Sequence, residues 1–450
     1  MLEPNQQASG ASLYDLRQRV LQGLPCRAEV LVSMIDALSV GPRPATPSEL
    51  VFSPLWGYAS STLYAGLREG AAPATLTALR QARLDWWEQW DAERRAAPAG
   101  VGAWRVKVLD ATNYDRPKTR TVPLGYVHGV QGMKPGHGLS VLSEQVGSGS
   151  WYLPLEIGVI PVGEAPPQFG TQQVVAHVER RGWQPDEILA VDAAYTNAPT
   201  LQPMVAAGLN VLGRVSSKRV FYLPPPPYAG SGRPRVRGRK LKLSDQRTLP
   251  SSDHFERVEK ADGGWYEISQ WADVRMWKWP PQPLVLYRVW EYKADGTRRY
   301  KRPLWLIYVG GAAAPQLAEA QAIYECRFGI EHSLRFMKQE VSLVGAQCNG
   351  AQAPARIALW VELVASVLWW LWALRPCAQS PDVGWPKSWR SRRLTPGAVR
   401  RVAMGLFVKL GIHPPQPQVR GKSPGRAAGT RLAPRKRYRV FRKRKRRAAA

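Results

Sequence analysis

YECRFGIEHSLRFMK, residues 324–338, holds Tyr324, Arg327, Glu331 and Lys338 with two, three and six residues between them. An α-helix turns about 100° per residue, so relative to Tyr324 the other three fall at about −60°, −20° and −40°. They form one narrow stripe. Ile323, Ile330, Leu334, Met337 and Val341 centre near about −100°, whereas Glu325, His332, Arg335, Gln339 and Glu340 spread from about +20° to +160°. The stripe therefore borders the apolar face. A carboxylate there is poorly explained as a solvated side chain, because partial desolvation costs free energy unless a charge or a metal compensates. Structural ion pairing is the competing explanation.

Upstream of this helix the pattern is α/β. WRVKVL (104–109) alternates and runs into Asp110; LGYVHGV, HGLSVLSEQV and WYLPLEIGVI follow as strands separated by Gly and Pro. TQQVVAHVERRG reads as a helix closed by Gly182, EILAVDAAY as an apolar strand ending near Asp192, APTLQPMVAAG as a second helix and LNVLGRV as another strand. This order resembles an RNase H-like fold. Residues 221–313 interrupt it with a Pro/Gly/Arg loop, FYLPPPPYAGSGRPRVRGRKLK, and aromatic-rich strands, which suggests a β-rich insertion subdomain.

The flanks differ in kind. Residues 1–98 read as a helical N-terminal domain, either a reader of DNA ends or a packing domain. The expected core then occupies 103–220 and, after the insertion, 314–378, where the helix of the stripe is followed by a Trp-rich helix over 353–375. Within that helix, IALWVELVASVLWWLWAL (357–374) approaches membrane-spanning length but carries Glu362, so it is expected to be a buried helix, with no membrane partner. The tail, 383–450, contains 21 Lys or Arg and no Asp or Glu, the composition of a block that self-repels when free and releases phosphate counterions when bound.

Charge points to the partner. Lys and Arg outnumber Asp and Glu by 63 to 34, a formal net charge of +29, which favours a polyanion, nucleic acid above all. Cys26, Cys326, Cys348 and Cys377 are scattered, with neither zinc-type nor CxxC spacing, and fit a reducing cytoplasm. The N-terminus lacks the basic start and apolar run of a secretory signal. No GxxxxGK[ST] is present, so ATP-dependent chemistry is not indicated. His128 and His137, in HGVQGMKPGHG, read as turn-associated.

At this point the chain resembles a family, the bacterial insertion-sequence transposases of the DDE type, whose shared signature is Y-(2)-R-(3)-E-(6)-K. VDAAY, with Asp192 and Tyr195 three residues later, matches that family's box around its second Asp, and VLDATNYDRP supplies Asp110 where the first Asp is expected. Asp115 is the alternative, but it lies beyond the strand pattern. The resemblance covers about residues 104–345. It implies that Asp110, Asp192 and Glu331 are catalytic and hold two Mg²⁺ ions, which Mn²⁺ can replace. Asp110 would bridge the ions, and Tyr324, Arg327 and Lys338 would engage the transposon end. Two ions about 4 Å apart need hard oxygen ligands, one ion serving the nucleophile and the other the leaving oxygen.

It further implies double-stranded DNA as partner (terminal inverted repeats and target), a homodimer on paired ends and a bacterial, nucleoid-associated protein. Arg335, and Arg237, Arg239 and Lys240 of the insertion loop, are further candidates for DNA backbone contacts. Trp265, Trp271, Trp277, Trp279 and Trp290 are expected to pack in a core, with base stacking as the alternative for one of them. The rival functions are a non-catalytic or decayed DNA-binding protein and another RNase H-like nuclease.

Overall fold

The computed structural model describes residues 4–94, 101–116, 119, 121–129, 132–147, 149–228, 230, 232–350, 352–380, 383–385, 394–416, 425, 427, 429–431, 434 and 436–441. Four helices open the chain: α1 (Pro4–Gly23), α2 (Ala28–Ser39), α3 (Ser60–Glu69) and α4 (Pro73–Arg94). Then come β1 (Arg105–Asp115), β2 (Gly125–Gly129), β3 (Gly132–Gln145), β4 (Tyr152–Ile160), α5 (Pro166–Arg181), β5 (Glu187–Val191), α6 (Ala198–Ala206) and β6 (Val211–Val215). The next strands are β7 (Val220–Tyr222), β8 (Lys240–Lys242), β9 (His254–Glu259), β10 (Trp265–Met276), β11 (Trp279–Tyr292) and β12 (Leu304–Val309). Among the described residues, three helices follow: α7 (Leu317–Gln339), α8 (Ala353–Ala378) and α9 (Pro396–Lys409).

All the strands join one mixed α/β sheet, in the order β2-β3-β1-β5-β6-β12-β11-β10-β7-β8, with β4 also on β3 and β9 on β10. Among the described residues, only β1·β5 and β5·β6 are parallel. Those strands, VKVL and EILAV, are buried on both faces, as parallel strands require, and the two charges they bury, Lys107 and Glu187, pair with each other.

Three features depart from the sequence pattern. First, β1 does not stop at residue 109: it continues to Asp115, paired with β3 as far as Asp115↔Gly136. What stops at 109 is its pairing with β5. Secondly, the strands of 221–313 continue the main sheet. β12 pairs antiparallel with β6 from Trp305↔Val215 to Val309↔Val211, covering an edge that would otherwise expose unpaired backbone groups. Thirdly, the basic tail contains α9. Thr395 caps it, its side chain accepting the Ala398 N–H, Pro396 opens its first turn, and Val399, Ala403, Leu406 and Phe407 are buried along one face. Residues 442–450 of the tail lie outside the described residues.

The Trp-rich helix α8 is long and apolar enough to cross a membrane, but 94% of its most apolar window is buried inside the protein, with α1, α2, α4 and α9 packed on it. Its polar groups are matched. Trp360 Nε1 donates to Ser342 O at 2.9 Å, Trp369 Nε1 to Pro154 O at 3.1 Å and Trp370 Nε1 to Asp36 at 2.8 Å. Glu362, 1% exposed, pairs with Arg80 and, at 2.7 Å, with the equally buried Arg83. Arg83 also donates to Ser366 Oγ at 2.6 Å. The N-terminal helices thus share one core with the sheet and are tied to α8 by buried charge.

Candidate active site

Leu109↔Val191 is the last pair in the parallel register of β1 and β5. Asp110 and Asp192 are the next residues on adjacent strands, and neighbouring strands lie about 4.8 Å apart, so the two carboxylates stand side by side. They do so beyond the carboxyl ends of parallel strands, where open α/β sheets place their ligands. Helix α7 packs across β1, β5 and β6. Its Gln316/Glu319 capping box fixes where it begins, and Ile323, Tyr324, Arg327, Ile330, Leu334 and Met337 form its buried side.

Arg327 is the hub. Its guanidinium, 8% exposed, reaches Asp110 Oδ2 at 3.4 Å and Glu331 Oε1 at 3.6 Å, the latter one helical turn away. Asp192 lies close enough to act electrostatically on Asp110, Tyr195, Tyr324 and Arg327. Burial lifts the Asp110 carboxyl above the ordinary aspartate range; the Ala111 N–H and Arg327 oppose the rise, and the negative charges of Asp192 and Glu331 add to it. Burial also pushes Tyr195 up, again reinforced by Asp110 and Asp192.

Lys338 closes the far end of the stripe. Its ammonium donates to Thr112 Oγ1, two residues beyond Asp110 on β1, at 2.6 Å. Burial lowers its pKa, with Asp115 opposing. Among the described residues the buried Tyr195 hydroxyl has no hydrogen-bond partner, whereas Tyr324 interacts with Arg327, whose guanidinium lies 5.7 Å from its ring. An unsatisfied buried hydroxyl beside clustered carboxylates marks a centre organised for a polar ligand.

The donor set suits a hard divalent cation. Asp110 and Glu331 meet Arg327 at ion-pair distance, Asp192 acts on the same guanidinium electrostatically, and every candidate ligand atom is an oxygen. Among the described residues, however, no three acidic, His or Cys side chains close on a common point at metal-binding range. Arg327 stands between Asp110 and Glu331 instead, and Glu331, 53% exposed, lies on the solvent side of the stripe.

The remaining candidates divide. Tyr324, Arg327 and Lys338 flank the carboxylates, while Arg335 is exposed one turn past Glu331. Arg237, Arg239 and Lys240 lie around β8, at the opposite end of the sheet from β1 and β5. Arg237 is engaged there, its guanidinium 3.4 Å from the centre of the exposed Trp277 ring. Trp271 and Trp290 are buried; Trp265 stacks on Tyr292 at 5.1 Å, and Trp279 is half-buried. Asp115 ends β1 near Lys338. His137 is buried on β3 beside Tyr114, its pKa lowered to about 4 by burial and the Arg116 charge, and His128 is exposed on β2. Thr112 was not singled out by sequence; its only signal is the i+2 position on the strand that carries Asp110.

Residues 165–272 match the family model described as DDE superfamily endonuclease, a stretch that includes Asp192 and ends before Glu331. No curated protein matches the chain. Among solved structures it is similar to a piggyBac transposase synaptic complex with hairpin DNA, at 10% identity and a TM-score of 0.33, over 74% of this chain and 57% of that one. The chain thus spans little more than half the length of that transposase, and its likeness to a DDE superfamily endonuclease rests on residues 165–272.

Proposed function

We propose that the protein is a DDE-type DNA transposase, built on an RNase H-like core formed by β4-β3-β1-β5-β6 with α5, α6 and α7. The observation that carries this reading is the parallel register that sets Asp110 beside Asp192 under the helix bearing Arg327 and Glu331. The endonuclease family match over 165–272 and the charge of +29 support it.

Asp110, Asp192 and Glu331 would hold two divalent ions, Mg²⁺ or Mn²⁺, through their carboxylates. Bound there, such ions supply a water or a 3′-hydroxyl activated for attack and charge stabilisation of the leaving oxygen. The chain's own residues do the rest. Release of Arg327 from Asp110 and Glu331 would free their oxygens as ligands and turn a guanidinium suited to bidentate contact toward a DNA phosphate. Lys338, which donates to Thr112, would grip the backbone of the bound strand, and Tyr324 would wall the centre from the α7 side. The protein would work in the cytoplasm as a dimer on paired terminal repeats of an insertion sequence, cutting the end and joining its 3′-hydroxyl to target DNA.

The test is a Mg²⁺-dependent strand-transfer reaction with labelled terminal repeats of the element that encodes the chain. Joined product is expected from the wild type and none from Asp192→Ala or Glu331→Ala, both of which retain end binding. Cutting without joining would point to a nuclease, and binding alone to a non-catalytic protein.

A further inference from the structure

We propose that the cleft between α7 and α9 seats a backbone phosphate of the bound DNA, with Arg335, Arg400, the Gly397 N–H and the Ser333 hydroxyl as its donors. The inference rests on the DNA reading above and adds a second contact point to it. The cleft measures about 590 Å³ and runs along the flank of α7 beside the catalytic stripe. Relative to Glu331, the lining residues Arg335, Gln339, His332 and Phe336 stand at about +40°, +80°, +100° and +140° around the helix. Arg335 is one turn, about 6 Å, farther along the axis, less than two nucleotide steps of about 3.4 Å in B-form DNA. A strand held at the carboxylates therefore brings a neighbouring phosphate within reach of the cleft.

Ser333 distinguishes this cleft from an ordinary basic surface. It is 2% exposed, it lines the cleft, and its hydroxyl has no hydrogen-bond partner among the described residues. A serine inside a helix can turn its hydroxyl back to the main-chain oxygen four residues earlier. Ser39 does so to Ile35 O and Ser366 to Glu362 O, each at 2.8 Å. Ser333 makes no such bond to Gly329, so its hydroxyl is turned off its own helix. A buried donor left unmet in this way calls for a ligand.

The other donors converge from α9 and the exposed side of α7. Pro396 brings no N–H, Ala398 donates to Thr395 Oγ1 at 3.2 Å and Val399 to Thr395 O at 3.1 Å; the Gly397 N–H meets no acceptor among the described residues. A Cβ on Gly397 would touch only the Phe336 ring, at 4.0 Å, so the main chain there is open to close approach. An unmet N–H in the first turn of a helix favours an anion. Arg400 is anchored by its guanidinium on Leu38 O at 3.3 Å, and Arg335 is exposed with no ion pair among the described residues. Glu340 is the only acid among the described residues that line the cleft. Cationic and neutral donors thus meet where a phosphodiester can accept from both.

The test uses the full chain and a short fluorescent duplex, with anisotropy read between about 50 and 200 mM salt and urea unfolding run on every variant. Ser333→Ala should raise Kd about tenfold at every salt concentration and leave the salt slope unchanged, as loss of a neutral donor to a charged acceptor does. Its urea midpoint should equal or exceed that of the wild type, because the deleted hydroxyl has no partner in the fold. Arg335→Gln should lower the salt slope by about 1. An unchanged Kd for Ser333→Ala would overturn the proposal and leave the cleft a solvated surface. A lower urea midpoint for that variant would overturn it too, since the hydroxyl would then be satisfied within the fold. Stabilisation of the wild type by inorganic phosphate at matched ionic strength, with duplex Kd unchanged in both variants, would assign the cleft to a free anion instead. Failure of the wild type to bind any duplex would defeat the DNA reading itself, whereas absent variant effects beside intact wild-type binding defeat the seat alone.

Discussion

Glu362→Gln should destabilise the whole protein, and the size of the effect follows from what the residue neutralises. Glu362 and Arg83 are each 1% exposed and meet at 2.7 Å. In the amide variant Arg80 still has Glu156 at 3.3 Å, but Arg83 is left with neutral acceptors alone: Ser366 Oγ, the main-chain oxygen of residue 362 and the amide oxygen that replaces the carboxylate. Removing one partner of a buried ion pair costs about 3–5 kcal/mol, because an uncompensated charge stays in the core. That is a large share of the ~5–15 kcal/mol by which a folded domain is typically stable. Urea unfolding at neutral pH, followed by Trp fluorescence from the indoles of α8, should show the midpoint fall accordingly. Arg247→Gln, whose side chain is 90% exposed beside Asp245, should leave it unchanged. Replacing the pair together, Arg83→Met with Glu362→Leu, should recover most of the loss, since the charge and its partner leave at once. A loss below about 1 kcal/mol for Glu362→Gln, the range of surface pairs, would refute the reasoning. An early separate transition for α1–α4 would do the same.

Other consequences follow from the site and its supports. Asp110 titrates above the ordinary aspartate value of 3.8, so the folded chain keeps a proton that the unfolded chain has lost; its share of stability is present at lower pH and lost as pH rises through the raised value. Divalent binding should run the opposite way, strengthening over that same interval, and Asp110→Asn should abolish the pH dependence seen by Mn²⁺ titration. Lys338→Met should weaken duplex binding without sequence preference and reduce the salt slope by about 1, as loss of one phosphate contact does; an unchanged slope would leave Lys338 as a structural ligand of Thr112. Gly329→Ala should destabilise by about 1–3 kcal/mol, because the added methyl falls on the Tyr152 ring that α7 packs against; an unchanged urea midpoint would mean α7 is free to shift.

Much of this arrangement is written locally. The stripe of Tyr324, Arg327, Glu331 and Lys338 was legible because helical period alone sets it beside Ile323, Ile330 and Leu334, and Asp192 because an apolar strand points to it. Asp110 was legible only as a residue after an apolar run. That it stands level with Asp192 depends on a parallel pairing more than 80 residues apart in the chain, which no local pattern encodes. Helix α9 was hidden by the charge around it. Its signals, Thr395 and Pro396 at the start and Val399, Ala403, Leu406 and Phe407 at helical spacing, were present but outweighed by the count of basic residues. The continuity of β12 with β6 could not be read at all, since aromatic-rich strands fit a separate sheet as well as an extension of the first. The position of Arg327 between two carboxylates depends equally on tertiary packing.

The most direct test of the central claim is Mn²⁺ binding to the full chain with a terminal-repeat duplex, followed by loss of the free-ion electron paramagnetic resonance signal. Wild type should take up about two ions per chain, and Asp192→Ala and Glu331→Ala should each lose uptake while still holding the DNA. Identical stoichiometry and affinity in all three proteins would contradict the claim that these carboxylates form the metal centre.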